Sequence, residues 1–203
     1  MRVLTGTCLN RTMIIGLTGG IGTGKSTVSE YLIEKYGFKI VDADKVSREI
    51  VEKGSPLLDR IRDTFGAEFI DEEGCLRRKA LGAFVFADEN RKKQLDDIMM
   101  GEILRICRER IRMNDRVILD AALLFEVGLD KDVDVTWLVD ANTDVRIRRV
   151  CKRDGISEEE VRDRMKNQMH QDEKKLRADV ILDNSGTKEE LHRIIDEIIE
   201  SYV

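Results

Sequence analysis

A chain of 203 residues with 40 acidic and 35 basic side chains carries a net charge of −5, enough length for one domain with a small inserted lobe. That balance excludes a broad basic face for nucleic acid; no run approaches the ~18 apolar residues of a membrane span, and the first residues lack a signal peptide's apolar core. The four cysteines, Cys8, Cys75, Cys107 and Cys151, form no C-x-x-C pair and have only His170 and His192 to assist them, which argues against zinc or a disulfide framework and for reduced thiols in a cytoplasmic protein.

Residues 1–12 read as a short tail, or else Met13 is the natural start. Met13 to Thr18 is short, apolar and partly β-branched, as a buried strand is. Gly19-Gly20-Ile21-Gly22-Thr23-Gly24-Lys25-Ser26 then fits G-x-x-x-x-G-K-[ST], and Thr27 to Ile33 places apolar residues at helical spacing. Phe38 to Asp42 reads as a second strand, and Asp44 to Glu52 as a helix closed by Gly54-Ser55-Pro56. Leu57 to Met113 is mostly helical in pattern, with Asp71-Glu72-Glu73-Gly74 as a turn. Leu95, Ile98, Met99, Ile103, Ile106 and Cys107 form an apolar stripe suited to core packing. Arg116 to Asp120, Val133 to Val139 and Val180 to Asp183 complete the strands. Ser157 to Glu160 and Thr187 to Glu190 are capping boxes that start helices. Alternating strands and helices predict an α/β fold with a parallel sheet and ligands beyond the strands' carboxyl ends, where Asp42, Asp44, Asp120 and Asp140 fall.

The residue types explain the chemistry. Backbone N–H groups cradle phosphates only where the chain approaches closely and takes unusual φ values, which glycine permits. The following helix adds unpaired donors and a positive dipole end. Lys25 supplies a point charge for the β- and γ-phosphates, and Ser26 a hydroxyl for Mg²⁺. Asp42 and Asp44 would point the same way if strand geometry persists; one could take a proton from a hydroxyl, or both could be helix caps. Asp120 suits Mg²⁺, directly or through water, or else it is a helix cap or a solvated strand end. Arg146, Arg148, Arg149, Lys152 and Arg153 crowd one segment. They are either a lid over ATP phosphates or a solvated face paired with Asp144, Asp154 and Glu158.

Several of these motifs, in order, resemble the dephospho-CoA kinase family. The resemblance spans about Met13 to Tyr202 and rests on the loop with its paired glycines, on Asp42-Ala43-Asp44 followed by Arg48, and on Gly54-Ser55-Pro56, Phe65-Gly66 and Gly74 to Leu76 with Arg78 and Leu81. It continues through Leu123-Leu124-Phe125-Glu126, Arg149 and Arg153-Asp154, Gln168, Ala178-Asp179-Val180-Ile181 and Asn184-Ser185-Gly186. The chain departs in having Ala122 where the family usually has Pro, and Met100-Gly101 where it often has His-Pro.

The resemblance implies a three-layer P-loop NTPase fold: a five-stranded parallel sheet, a helical substrate-binding lobe over about 53–113 and a lid over about 143–172. It implies transfer of the γ-phosphoryl of ATP to the ribose 3′-hydroxyl of dephospho-CoA, the last step of coenzyme A synthesis. Carried over by position, Asp44 is the base, and Arg48 and Arg78 hold the acceptor. Gly20, Gly22, Thr23, Gly24, Lys25, Ser26 and Thr27 bind ATP phosphates, Asn184 lies on the adenine side, and Arg149 and Arg153 are lid cations. Ser26 and Asp120 serve magnesium. The implied partners are ATP and dephospho-CoA, with neither nucleic acid nor membrane. The oligomeric state stays open, a monomer being the simpler expectation. The alternatives are another small-molecule kinase, such as one for nucleoside monophosphates, a P-loop regulator without catalysis, or a GTP-dependent switch. The switch reading has two D-x-x-G matches, Asp71 to Gly74 and Asp183 to Gly186, but no N-K-x-D to read guanine.

Overall fold

The computed structural model describes residues 12–166 and 168–202; Cys8 and nearly all of the expected tail lie outside them. Its sheet has five strands in the order β2-β3-β1-β4-β5: β1 Met13–Thr18, β2 Lys39–Asp42, β3 Arg116–Asp120, β4 Val135–Asp140 and β5 Val180–Asp183. The central β1 pairs parallel with β3 and β4, and β4 with β5. Ile15 and Leu17 are wholly buried because both faces of a parallel sheet are covered. The register sets Leu17 opposite Asp120 and Thr18 opposite Leu138, so the loop leaving β1 emerges beside the carboxyl ends of β3 and β4.

The chain divides into two compact units, one of them Asp42–Arg110. In the unit that holds the sheet, α1 Lys25–Tyr36 and α9 Lys188–Ser201 bury Val28, Leu32, Leu191, Ile195 and Ile199 in one core with Ile15, Leu17 and Trp137. The Thr187 capping box opens α9: Glu190 N–H donates to the Thr187 hydroxyl, and the Glu190 carboxylate accepts from Thr187 N–H. The same reciprocal pair between Ser157 and Glu160 opens α7 Glu158–Lys166. A smaller cluster of Ile147, Val150 and Val161 joins α7 to α6 Thr143–Asp154, and α8 Gln171–Arg177 follows.

The second unit contains α2 Ala43–Glu49, α3 Pro56–Phe65, α4 Arg78–Phe86 and most of α5 Glu89–Arg112. Helix α2 stops three residues before the sequence reading: Glu52 N–H bonds to the Glu49 carbonyl, Gly54 takes a left-handed φ of 84°, and Ser55 caps α3 ahead of Pro56. Asp71 to Gly74 is the expected turn, closed by Gly74 N–H on the Asp71 carbonyl. Helix α5 runs unbroken through Met100-Gly101; with no proline there, nothing removes a backbone donor. Ile103 and Cys107 of its apolar stripe are buried, and the other four members are half-buried.

Candidate active site

The loop after β1 owes its shape to glycine. Gly22 and Gly24 have φ of 80° and 88°, where a side chain is strained. A Cβ on Gly22 would also lie 2.6 Å from the Arg146 backbone carbonyl. Inside the loop, the buried Thr23 turns its hydroxyl and its N–H back to the Gly20 carbonyl. Thr27 N–H bonds to the Gly24 carbonyl. The N–H groups of Gly22, Gly24, Lys25 and Ser26 have no acceptor among the described residues. Four unsatisfied donors at a helix start form a ready anion cradle.

Charges gather at this cradle. Lys25 Nζ lies 3.6 Å from Asp120 Oδ1, both side chains being mostly shielded from solvent. From α6, Arg149 donates to the Thr23 carbonyl at 3.4 Å. Asn184, just past β5 and 5% exposed, donates its amide to the same carbonyl at 2.8 Å. That bond makes Asn184 a brace of the loop. Ser26 is exposed, and its hydroxyl has no partner among the described residues. Arg153 binds the neighbouring Asp154, which Arg164 also contacts, so this part of the cluster is a solvated paired face. The Asp154 bond raises the Arg153 pKa further.

No cluster of three metal-ligating side chains occurs among the described residues. The donors present still fit Mg²⁺, which commonly takes one carboxylate, a hydroxyl and phosphate oxygens, with water completing its shell. Asp120 and Ser26 would hold it.

Asp42 and Asp44 are placed differently. Helix starts at Ala43, so the strand alternation ends there. Asp42 is the cap, its carboxylate accepting from Lys45 N–H at 2.9 Å. Asp44 is exposed in the first turn, and its carboxylate has no partner among the described residues. In the same unit, Arg78 donates to the Arg48 carbonyl at 2.8 Å, leaving the Arg48 guanidinium unengaged among the described residues.

Some residues in the loop's surroundings gave little sequence signal. Ile21 N–H donates to Gln168 Oε1 and the Ile21 carbonyl accepts from Arg146 Nε, each at 3.0 Å. Lys174, fully buried, bonds to Glu126 at 2.9 Å and to the Ala122 carbonyl at 2.6 Å. Thr18 Oγ1 also donates to that carbonyl. Both bonds use the backbone oxygen at 122, which Ala and Pro share, so the departure from Pro keeps this acceptor. Arg146 stood within the sequence's basic cluster, one helical turn from Arg149. Lys174 lies in none of the sequence motifs.

A glycine-shaped phosphate cradle at the carboxyl edge of a five-stranded parallel sheet, with Lys25, Asp120 and Arg149 around it, defines a P-loop protein of the small-molecule kinase type. Residues 13–190 match the family described as Dephospho-CoA kinase, and the chain belongs to that family. It is 43% identical over 186 residues to the dephospho-CoA kinase of Shouchella clausii, covering 89% of this chain and 94% of the relative. A crystal structure of a Thermus thermophilus protein matches with a TM-score of 0.83 and 34% identity, over 96% of this chain and 100% of that one. The dephospho-CoA kinase of Campylobacter jejuni matches with a TM-score of 0.70 and 26% identity, over 94% and 98%. The family assignment removes the GTP-switch reading, and Ser185 satisfies Asp183 in the second D-x-x-G match.

Proposed function

We propose a division of labour for the dephospho-CoA kinase reaction, the final step of coenzyme A biosynthesis, with ATP as phosphoryl donor. The observation that carries it is the set of unsatisfied N–H groups on Gly22, Gly24, Lys25 and Ser26 beside the Lys25 and Asp120 side chains. These donors and Lys25 take the β- and γ-phosphates, and Arg149 supplies a second cation. Mg²⁺ held by Ser26 and Asp120 neutralises phosphate charge when bound. Arg153 joins Arg149 only by exchanging Asp154 for phosphate. Gly20, Gly22 and Gly24 give the loop its shape, and Thr23, Thr27 and Asn184 hold it through the bonds described.

Asp44 is the base. It accepts the proton of the ribose 3′-hydroxyl as that oxygen bonds to the γ-phosphorus and the bond to the β,γ-bridging oxygen breaks. The products are ADP and a 3′-phosphorylated coenzyme A. Arg48 meets an anionic group of the acceptor, and Arg78 orients the backbone of Arg48. Asp42–Arg110 is the acceptor lobe, and about 143–172 acts as a lid. An acceptor panel tests the reading: ADP release should require dephospho-CoA, whereas turnover with adenylate or a sugar and none with dephospho-CoA would reject it.

A further inference from the structure

Ile21 is gripped through both of its backbone polar groups from the segment 143–172: its N–H in the peptide with Gly20 and its carbonyl in the peptide with Gly22. Gln168, in the loop between α7 and α8, accepts from Ile21 N–H, and Arg146 of α6 donates to the Ile21 carbonyl. Two residues on, the Thr23 carbonyl takes Asn184 and Arg149. Gly22, between Ile21 and Thr23, packs on the Arg146 backbone so closely that a Cβ there would lie 2.6 Å from its carbonyl oxygen. Arg146 is only 7% exposed and forms no ion pair among the described residues. Burial lowers its pKa, with Asp140 opposing. A buried guanidinium that contacts a backbone carbonyl in place of a carboxylate keeps its positive field for another anion.

We propose that Arg146 and Gln168 are positioning residues: they clamp the Ile21 backbone on both sides of its Cα and so fix the Gly22, Gly24, Lys25 and Ser26 donors for the phosphates before ATP arrives. The gain is pre-organisation, since a loop already held loses less freedom on binding. The clamp also couples the loop to the lid segment, because moving α6 away breaks the Arg146 bond. The functional consequence rests on the loop taking ATP phosphates, whereas the clamp itself can be tested without nucleotide.

The test pairs amide exchange of the nucleotide-free protein with ATP titration, using Gln168→Met, which keeps side-chain length, and Arg146→Met, which keeps the apolar stem; both remove the polar atoms. Gln168→Met should speed exchange at Ile21 about five- to tenfold while β1 amides stay unchanged. Each variant should weaken ATP binding by about five- to tenfold, and the double variant little more than the worse single, because both hold the backbone of one residue, through its two adjoining peptides. The KM for dephospho-CoA should stay within about twofold in each. Gln168→Glu, which retains an acceptor oxygen, should restore wild-type exchange at Ile21. The exposed Lys188→Ala, on α9, should leave ATP affinity unchanged. Unaltered Ile21 exchange in Gln168→Met overturns the clamp. Normal ATP affinity in both Met variants, or a loss confined to dephospho-CoA, overturns its role in positioning. A wild-type protein without ATP affinity would reject the phosphate-site reading, and the exchange result would still decide the clamp.

Discussion

The donor loop and the acceptor-side helix treat their polar groups in opposite ways. Around Gly19 to Ser26, the Ile21 and Thr23 peptides are tied to Gln168, Arg146, Asn184 and Arg149. On α2, the Asp44 carboxylate and Arg48 guanidinium have no partner among the described residues. The cradle of backbone donors is held by bonds inside the loop, from Thr23 to Gly20 and Thr27 to Gly24, and by the side chains of Gln168, Arg146, Asn184 and Arg149 from outside it. The proposed base and acceptor-binding cation instead remain available to the substrate.

The sharpest break in that contrast is removal of the chemistry on either side. Asp44→Asn should lower kcat about 10²- to 10⁴-fold while ATP affinity stays near wild type, measured by steady-state kinetics with separate ATP titration. Loss within a few-fold would show that another group takes the proton. Lys25→Ala should cost about 10²–10³ in kcat through lost charge stabilisation, and an unchanged rate would contradict the cradle.

A smaller effect separates bracing from chemistry. Asn184→Ala removes a buried donor to the Thr23 carbonyl and should destabilise the protein by about 1–3 kcal/mol in urea unfolding while weakening ATP binding. Unaltered ATP affinity with lower stability would make Asn184 a purely structural tie.

The smallest expected effect lies away from the site and tests whether the scaffold is independent of it. Asp196 on α9 accepts from Tyr31, Tyr36 and Lys35 of α1. Burial opposes its ionisation, but those bonds prevail and hold the carboxyl below the usual range. A depressed folded-state pKa means stability present above the ordinary aspartate value of about 3.9 and lost as pH falls through the lower folded value. Wild type should therefore lose a part of its stability in that acid window that Asp196→Asn lacks, with kcat near neutrality the same in both. Identical acid unfolding curves would contradict the assignment.

The strand, glycine loop and helix were legible because their signals are local: β-branched run, glycines, 3.6-residue period. The choice between Asp42 and Asp44 was not, since either residue type caps a helix and spacing does not say where the helix begins. Only the start at Ala43 assigns the cap to Asp42. Gln168 and Ile21 lie 147 positions apart, and Lys174 and Ala122 52 apart, so no periodicity links them. The resemblance included Gln168, but the bond it makes is a product of tertiary packing. Arg149 and Arg153 share a helical face as spacing required, yet one reaches the loop and the other pairs with Asp154, a difference set by local partners.

The central claim is that this chain transfers the γ-phosphoryl of ATP to dephospho-CoA. It is tested most directly by incubating the purified protein with ATP, Mg²⁺ and dephospho-CoA and locating the new phosphate on the product by NMR. The account requires one ADP per acceptor consumed, with phosphate on the ribose 3′-oxygen. Acceptor-independent ATP hydrolysis, or phosphate placed on another position or another acceptor, would contradict it.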